Sequence, residues 1–236
     1  MGRRNALIEY YFRGEQALAA AGSGAGGPWV KADTSAAGAP TVGGLAGGGL
    51  RMLLASNTEV ENLCVYHGDV LSFDIDDIVS AEFAVKTVAT LDSATSIAFG
   101  LCSARNDDPD ALAAHASFRC IGSNAIVAET DDGTNDNDDV ATGLTLGTGW
   151  KRFKIDFASR NTTIEPPSVS KGRKSNIEFY GSNDNGSLRR VASGTRFDMS
   201  NYSSGLQPYF QLQKTSDNNT DNLDILYCAI EVSLPF

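Results

Sequence analysis

The feature that most constrains this chain is the recurrence, from residue 28 onward, of short segments rich in β-branched and aromatic residues, separated by clusters of Gly, Asn, Asp and Ser. They include VENLCVYHG (60–68), VLSFDID (70–76), SAEFAVKTVATL (80–91), TSIAFGLCSA (95–104), TGWKRFKIDF (148–157), NIEFYGS (176–182), LQPYFQLQK (206–214) and LDILYCAIEVSL (223–234). In the third, Ala81, Phe83, Val85 and Thr87 share one face, and Glu82, Ala84 and Lys86 take the other. In TGWKRFKIDF, Phe153, Ile155 and Phe157 fall opposite Trp150, Arg152, Lys154 and Asp156. This period of two is that of a strand with one face buried. Roughly twelve such segments, with turn chemistry between them and no long helical pattern, predict an all-β fold: a two-layer antiparallel sandwich of the jelly-roll type. The alternation puts Phe83, Val85, Phe99, Phe153, Ile155, Phe210, Leu212, Ile225 and Tyr227 on the inner faces. DDPDALAAH (107–115) reads as a turn with room for one helical turn.

By composition, the 236 residues divide into an N-terminal arm, 1–27, and a sandwich domain, 28–236. In the arm, Leu7, Ile8, Tyr10, Tyr11 and Phe12 precede the featureless stretch AAAGSGAGG. The pattern is that of an apolar contact on a flexible tether, with a first strand or turn of helix as its possible end, expected to be poorly ordered alone and to order on a partner's surface. Glu9, Arg13 and Glu15 interrupt any apolar run near the start, so a secretion signal is not expected. No stretch approaches the roughly 18 apolar residues of a membrane span.

The sequence offers little for catalysis. There are two His, His67 and His115, both read as exposed or strand-edge residues, and no GxSxG accompanies them. The ExDxxE pattern, which places three carboxylates on one face of a strand, is absent; ETDDG (129–133) begins like it and runs into a turn. GGLAGGG (43–49) is followed by LRMLLAS, without the Lys and Ser/Thr of a phosphate loop. Cys64, Cys102, Cys120 and Cys228 are widely spaced in apolar contexts and read as buried thiols, with a disulfide between neighbouring strands as the alternative. An enzyme is therefore not expected, and no cofactor is required. Calcium is the one metal candidate: DDGTNDNDD (131–139), with Asp131, Asp132, Asp136, Asp138 and Asp139, and DNNTDNLD (217–224) carry hard oxygen ligands at high density, both outside the EF-hand register.

The net charge of −10 argues against nucleic acid or an anionic membrane as the main partner. The charge is unevenly spread. Residues 150–200 hold ten basic and five acidic side chains, a net of about +5 that leaves about −15 on the rest. SKGRKS contributes Lys171, Arg173 and Lys174, which read as an exposed basic patch suited to an acidic partner surface.

Three blocks resemble a known family. GDVLSFDIDDIVSAEFAVKTVATLDSATSIAFGLCSARND (68–107) resembles the middle of the concanavalin A-like (LamG-like) jelly-roll domains of tailed-phage virion proteins. TGLTLGTGWKRFKIDF (142–157) resembles their Gly-Trp pair leading into an alternating strand. LQPYFQLQKTSDNNTDNLDILYCAIEV (206–232) resembles their closing strand pair. The resemblance implies a non-enzymatic virion protein, assembled in the host cytoplasm. Its place would be the outer surface of a phage head, as a cement or decoration subunit bound to the major capsid protein and to its own copies, with a homotrimer expected. Leu7, Ile8, Tyr10, Tyr11, Phe12, Lys171, Arg173 and Lys174 would then be the partner contacts. The alternative it implies is a carbohydrate-binding or receptor-binding module of a phage fibre.

Overall fold

The computed structural model describes residues 4–13, 18–20, 28–70, 72–157, 174–183 and 186–234. In chain order the strands are β1 (Arg4–Tyr11), β2 (Ala19–Ala20), β3 (Val30–Asp33), β4 (Thr41–Gly44), β5 (Leu50–Leu53), β6 (Glu61–Tyr66), β7 (Phe73–Asp74), β8 (Ile78–Thr87), β9 (Thr95–Cys102), β10 (His115–Ile121), β11 (Ala125–Asp131), β12 (Asp136–Thr145), β13 (Lys151–Asp156), β14 (Glu178–Gly181), β15 (Arg189–Val191), β16 (Gly205–Lys214) and β17 (Asn222–Leu234). The turn expected in DDPDALAAH contains one helical turn, a 3-10 turn at Pro109–Ala111, with Asp108 capping its start.

The strands form two sheets. One, the β17 sheet, runs β15-β14-β13-β8-β17-β5-β4; the other, the β16 sheet, runs β12-β11-β10-β9-β16-β6-β3-β2, with β7 on β16. Among the described residues, every pairing is antiparallel except β2 with β3. The long β17 pairs with β8 along one edge. Along its other edge, Asn222–Ile225 pair with β5 and Tyr227–Leu234 with β1.

The sheets meet across an aromatic layer. Phe83 from the β17 sheet lies 6.1 Å from Phe99 and 5.8 Å from Phe210, both of the β16 sheet. Phe118 lies 5.0 Å from Phe153 and 5.1 Å from Phe179. Each ring is buried and contributes about 1.5–3 kcal/mol by leaving water. Eight of the nine expected core residues are there, Phe83, Val85, Phe99, Phe153, Ile155, Phe210, Leu212 and Ile225. Tyr227 is not: the β8–β17 register shifts between Ile225 and Tyr227, and this bulge turns Tyr227 to the outer face. There Arg152 Nε donates to its hydroxyl at 3.2 Å.

The expected arm is, over residues 4–11, a strand. β1 pairs with β17 in unbroken register from Arg4↔Leu234 to Tyr11↔Tyr227. Its alternation divides the expected anchor: Ile8 and Tyr10 pack on the core and Phe12 is buried, while Leu7 and Tyr11 point outward. Phe12 N donates to the carbonyl of the bulged Leu226 at 3.2 Å, and its ring lies 5.2 Å from Trp29. His67, expected at the surface, is fully buried, 4.5 Å from Trp29 and 5.3 Å from Tyr10. Residues 14–17 and 21–27 lie outside the described residues.

Candidate functional site

The outward positions of the β16 sheet hold a polar cluster that is not exposed. On β10, alternation sends His115, Ser117 and Arg119 outward, opposite the core residues Ala116, Phe118 and Cys120. On β11 the same logic turns Glu129 outward, directly across from Ser117. From β16 come Gln207, Tyr209 and Gln211, and from β6 Asn62, Cys64 and Tyr66. All of these are buried.

The cover is the chain's own segment 103–114, between β9 and β10. Its Asp107 carbonyl accepts from Asn62 Nδ2 and from Gln211 Nε2, each at 2.8 Å. Leu112 is buried against Cys64, Tyr66, Ala98, Cys102 and Tyr209, a second, smaller core outside the main one. Asp110 reaches down to pair with Arg119. Gly100 makes the surface under this cover possible. A Cβ there would lie 2.4 Å from the Ala116 carbonyl oxygen and 2.7 Å from Ser117 Cα, so any other residue forces β9 and β10 apart.

At the centre, Arg119 Nη1 donates to both Glu129 oxygens, at 3.0 and 2.9 Å. His115 Nε2 stands 3.8 Å from Glu129 Oε2. Among the described residues, neither His115 nitrogen has a hydrogen-bond partner, nor does Arg119 Nε or Gln211 Oε1. Burial pushes the Tyr209 phenol well above its usual range, with the Ser117 hydroxyl pulling the other way. Burial likewise pushes the Cys64 and Cys120 thiols up to about 12 and the Cys102 and Cys228 thiols above their usual range. All four cysteines are free and buried, and at ordinary pH they are inert apolar groups, not nucleophiles.

At this cluster the carboxylates do not stand apart across a cleft. Glycoside hydrolysis needs two carboxyl groups about 5–9 Å apart with a sugar and, in the inverting case, a water between them. Here Asp110 and Glu129 both pair with the same Arg119 guanidinium nitrogen.

The outer face of the β17 sheet is built differently. Arg152 pairs with Glu82 at 2.6 Å, Arg190 with Glu178 at 2.9 Å and Lys154 with Asp156 at 2.8 Å. Arg51 holds Asp224 at 2.7 Å, and Lys86 lies 4.6 Å from the centre of the Trp150 ring. Among the described residues of 150–200, Arg152, Lys154, Lys174, Arg190 and Arg196 each pair with a carboxylate. Lys174, expected in an exposed loop, is buried. Its Nζ pairs with Asp76 at 2.9 Å and donates to the Tyr202 carbonyl, so it offers no charge to a partner. Lys171 and Arg173 lie outside the described residues.

The calcium candidates do not converge. Asp132 Oδ1 accepts from the amides of Thr134 and Asn135 at 2.9 and 2.7 Å, and its Oδ2 from that of Asn201 at 2.9 Å, so its carboxylate holds the β11–β12 turn. Burial works to raise its pKa, but these hydrogen bonds win and hold it below the usual carboxylate value. Asp131 and Asp136 are cross-strand partners at that turn. Asp136 is raised, by burial and then by its neighbour Asp138. Asp139 takes a positive φ of 50° at an irregular point of the strand. Among the described residues, no three His, Cys, Asp or Glu side chains gather to hold a metal ion.

By sequence alone His115 reads as an exposed or strand-edge residue and Glu129 as the start of ETDDG, and Ser117, Arg119, Gln207, Tyr209 and Gln211 carry no motif. The signal present in the sequence was the pairing of His115, Ser117 and Arg119 at spacing two on a strand whose other face is apolar.

No protein-family model matches the chain, and no curated protein sequence does. Solved structures do. The chain is similar to a Bacillus licheniformis β-glucanase, with a TM-score of 0.57 and 12% identity over 96% of this chain and 98% of that one. It is similar to the Emp47p carbohydrate recognition domain, with a TM-score of 0.53 and 13% identity over 92% and 95%. A Shewanella oneidensis MR-1 protein of unknown function matches with a TM-score of 0.56 and 9% identity over 98% and 87%. At these identities the likeness is one of fold: a concanavalin A-like jelly roll, an architecture found in both lectins and glycosidases.

Proposed function

We propose that this chain is a non-enzymatic structural subunit, a jelly-roll cement or decoration protein that binds the outer surface of a phage head. The observation that carries the non-enzymatic part is the closed outer face of the β16 sheet. There the buried Glu129 and His115 lie beside Arg119, which pairs with Glu129, and the chain's own loop 103–114 covers them. The capsid part is supported by the resemblance of residues 68–107, 142–157 and 206–232 to virion jelly-roll domains. A sandwich with a filled face is a rigid plug, and such a body stabilises a shell by bridging capsomers rather than by turning over a substrate.

Adding the purified chain to heads that lack it tests this reading. Saturable binding with a fixed copy number per head, together with no release of reducing sugar from β-glucans, is the expected outcome. Sugar release, or no binding to any head, would overturn it. A second reading, a carbohydrate-binding module, is supported by the fold likeness to the Emp47p carbohydrate recognition domain. A glycan array separates it from the first.

A further inference from the structure

Sheet edges invite pairing with other chains, and proteins blunt them with charge, bulges, shortness or cover. Four of the edges in this sandwich are blunted. β12 carries Asp136, Asp138 and Asp139 and breaks register twice. β15 is three residues long with two arginines, β4 is four residues ending in Gly43 and Gly44, and β2 is two residues. β1 is the exception. It runs for eight residues without a register shift, and among the described residues its one strand partner is β17. Its outer face presents Leu7 at 61% and Tyr11 at 46% exposure.

We propose that β1 pairs antiparallel with β1 of a second copy of this chain, about a two-fold axis through Leu7. The strand's own sequence selects both the occupant and the register. The faces of the sheet stay matched only if a residue meets one of the same face. An axis at Glu9 puts two carboxylates opposite each other. An axis at Ala6 puts Leu7 against Asn5, and one at Ile8 puts Leu7 against Glu9. The axis at Leu7 sets Leu7 on its own copy and Ala6 against Ile8, extending the inner apolar layer to which both already belong. It also sets Asn5 against Glu9, an amide against a carboxylate. Asn5 Nδ2 donates to Glu231 at 2.7 Å, and a carboxamide has a second N–H for the Glu9 of the other copy. The contact is isologous, so it closes at two. It joins the two β17 sheets into one continuous sheet. This inference is independent of attachment to a head.

The test uses the full chain. Sedimentation from about 1 to about 200 µM, the range suited to a small transient interface, should show the mass rising from 24.9 kDa toward twice that value. Leu7→Arg should abolish the rise while leaving the circular dichroism unchanged, since Leu7 is exposed. Directly opposed residues have Cβ atoms about 4.5–5.5 Å apart, close to disulfide range. Leu7→Cys should therefore form a covalent dimer under mild oxidation. Tyr11→Cys, offset from its own copy by about eight residues, should not. A chain that stays monomeric across this range, a trimer, or equal cross-linking of the two cysteine variants would overturn the proposal.

Discussion

The outer faces of the two sheets follow the same alternation and reach opposite ends. On the β17 sheet, Arg152 and Glu82 pair in partial contact with water, with side chains 37% and 23% exposed. On the β16 sheet, Arg119 and Glu129 make the same kind of pair at 6% and 1% exposure. The difference is not in the strands. It comes from segment 103–114, which covers one face through Asp107, Asp110 and Leu112 and has no counterpart described on the other. A period of two says which side chains leave the core; it does not say whether water or protein receives them.

The largest test of this contrast removes one carboxylate from each face. Glu129→Ala leaves a buried guanidinium with only Asp110 and should lower stability by about 3 kcal/mol or more. Glu82→Ala should change it by about 0–1 kcal/mol, because water screens that pair. Urea denaturation of the two variants measures the difference, and equal losses would mean that the β16 face is wet.

Leu112→Ala should cost about 2–3 kcal/mol if the loop is a true roof, since its side chain closes the small outer core. The same variant sharpens the contrast within the molecule. Cys64 and Cys102 belong to that outer core, whereas Cys120 and Cys228 sit between the sheets. A thiol reagent under native conditions should therefore label Cys64 and Cys102 faster in Leu112→Ala, with Cys120 and Cys228 unchanged. Uniform acceleration would point to global loosening instead. Gly100→Ala should destabilise by about 1–3 kcal/mol through backbone collision.

The smallest expected effects are in pH dependence at the β11–β12 turn. Asp132 is held below its ordinary 3.8, so its contribution is present above that pH and is lost as pH falls through the folded value. Asp136 is raised above 3.8, so its ionisation works against the fold, and stability is lost as pH rises through the window above 3.8. Asp132→Asn should therefore destabilise at neutral pH, with the deficit shrinking in acid. Asp136→Asn should stabilise at neutral pH, with the gain vanishing in acid. Denaturation midpoints of both variants across that range check the two signs.

What the sequence made legible followed from local pattern. The apolar positions of β8, β9, β13 and β16 are where period two puts them, and the two-layer fold follows. What it hid depended on distant partners. The bulge at Leu226 sends Tyr227 outward, and no local signal marks it. β1 looked like an arm because its partner β17 lies at the other end of the chain. Deleting the first twenty residues, harmless for an arm, would strip Ile8, Tyr10 and Phe12 from the core. Lys174 looked exposed in a polar run, yet Asp76, far off in sequence, draws it inward. The polar cluster was invisible for the same reason. Period two sends His115, Ser117 and Arg119 to one face, and nothing local says that a loop covers them.

The central claim is that this closed sandwich acts as a virion part. A density map of the native particle whose genome encodes the chain tests it most directly. The account predicts density for the two-sheet sandwich on the outer surface of the head at a regular lattice position, with segment 103–114 still seated on the β16 sheet. Density confined to a fibre tip, or a sugar bound on that sheet with the loop displaced, would contradict it.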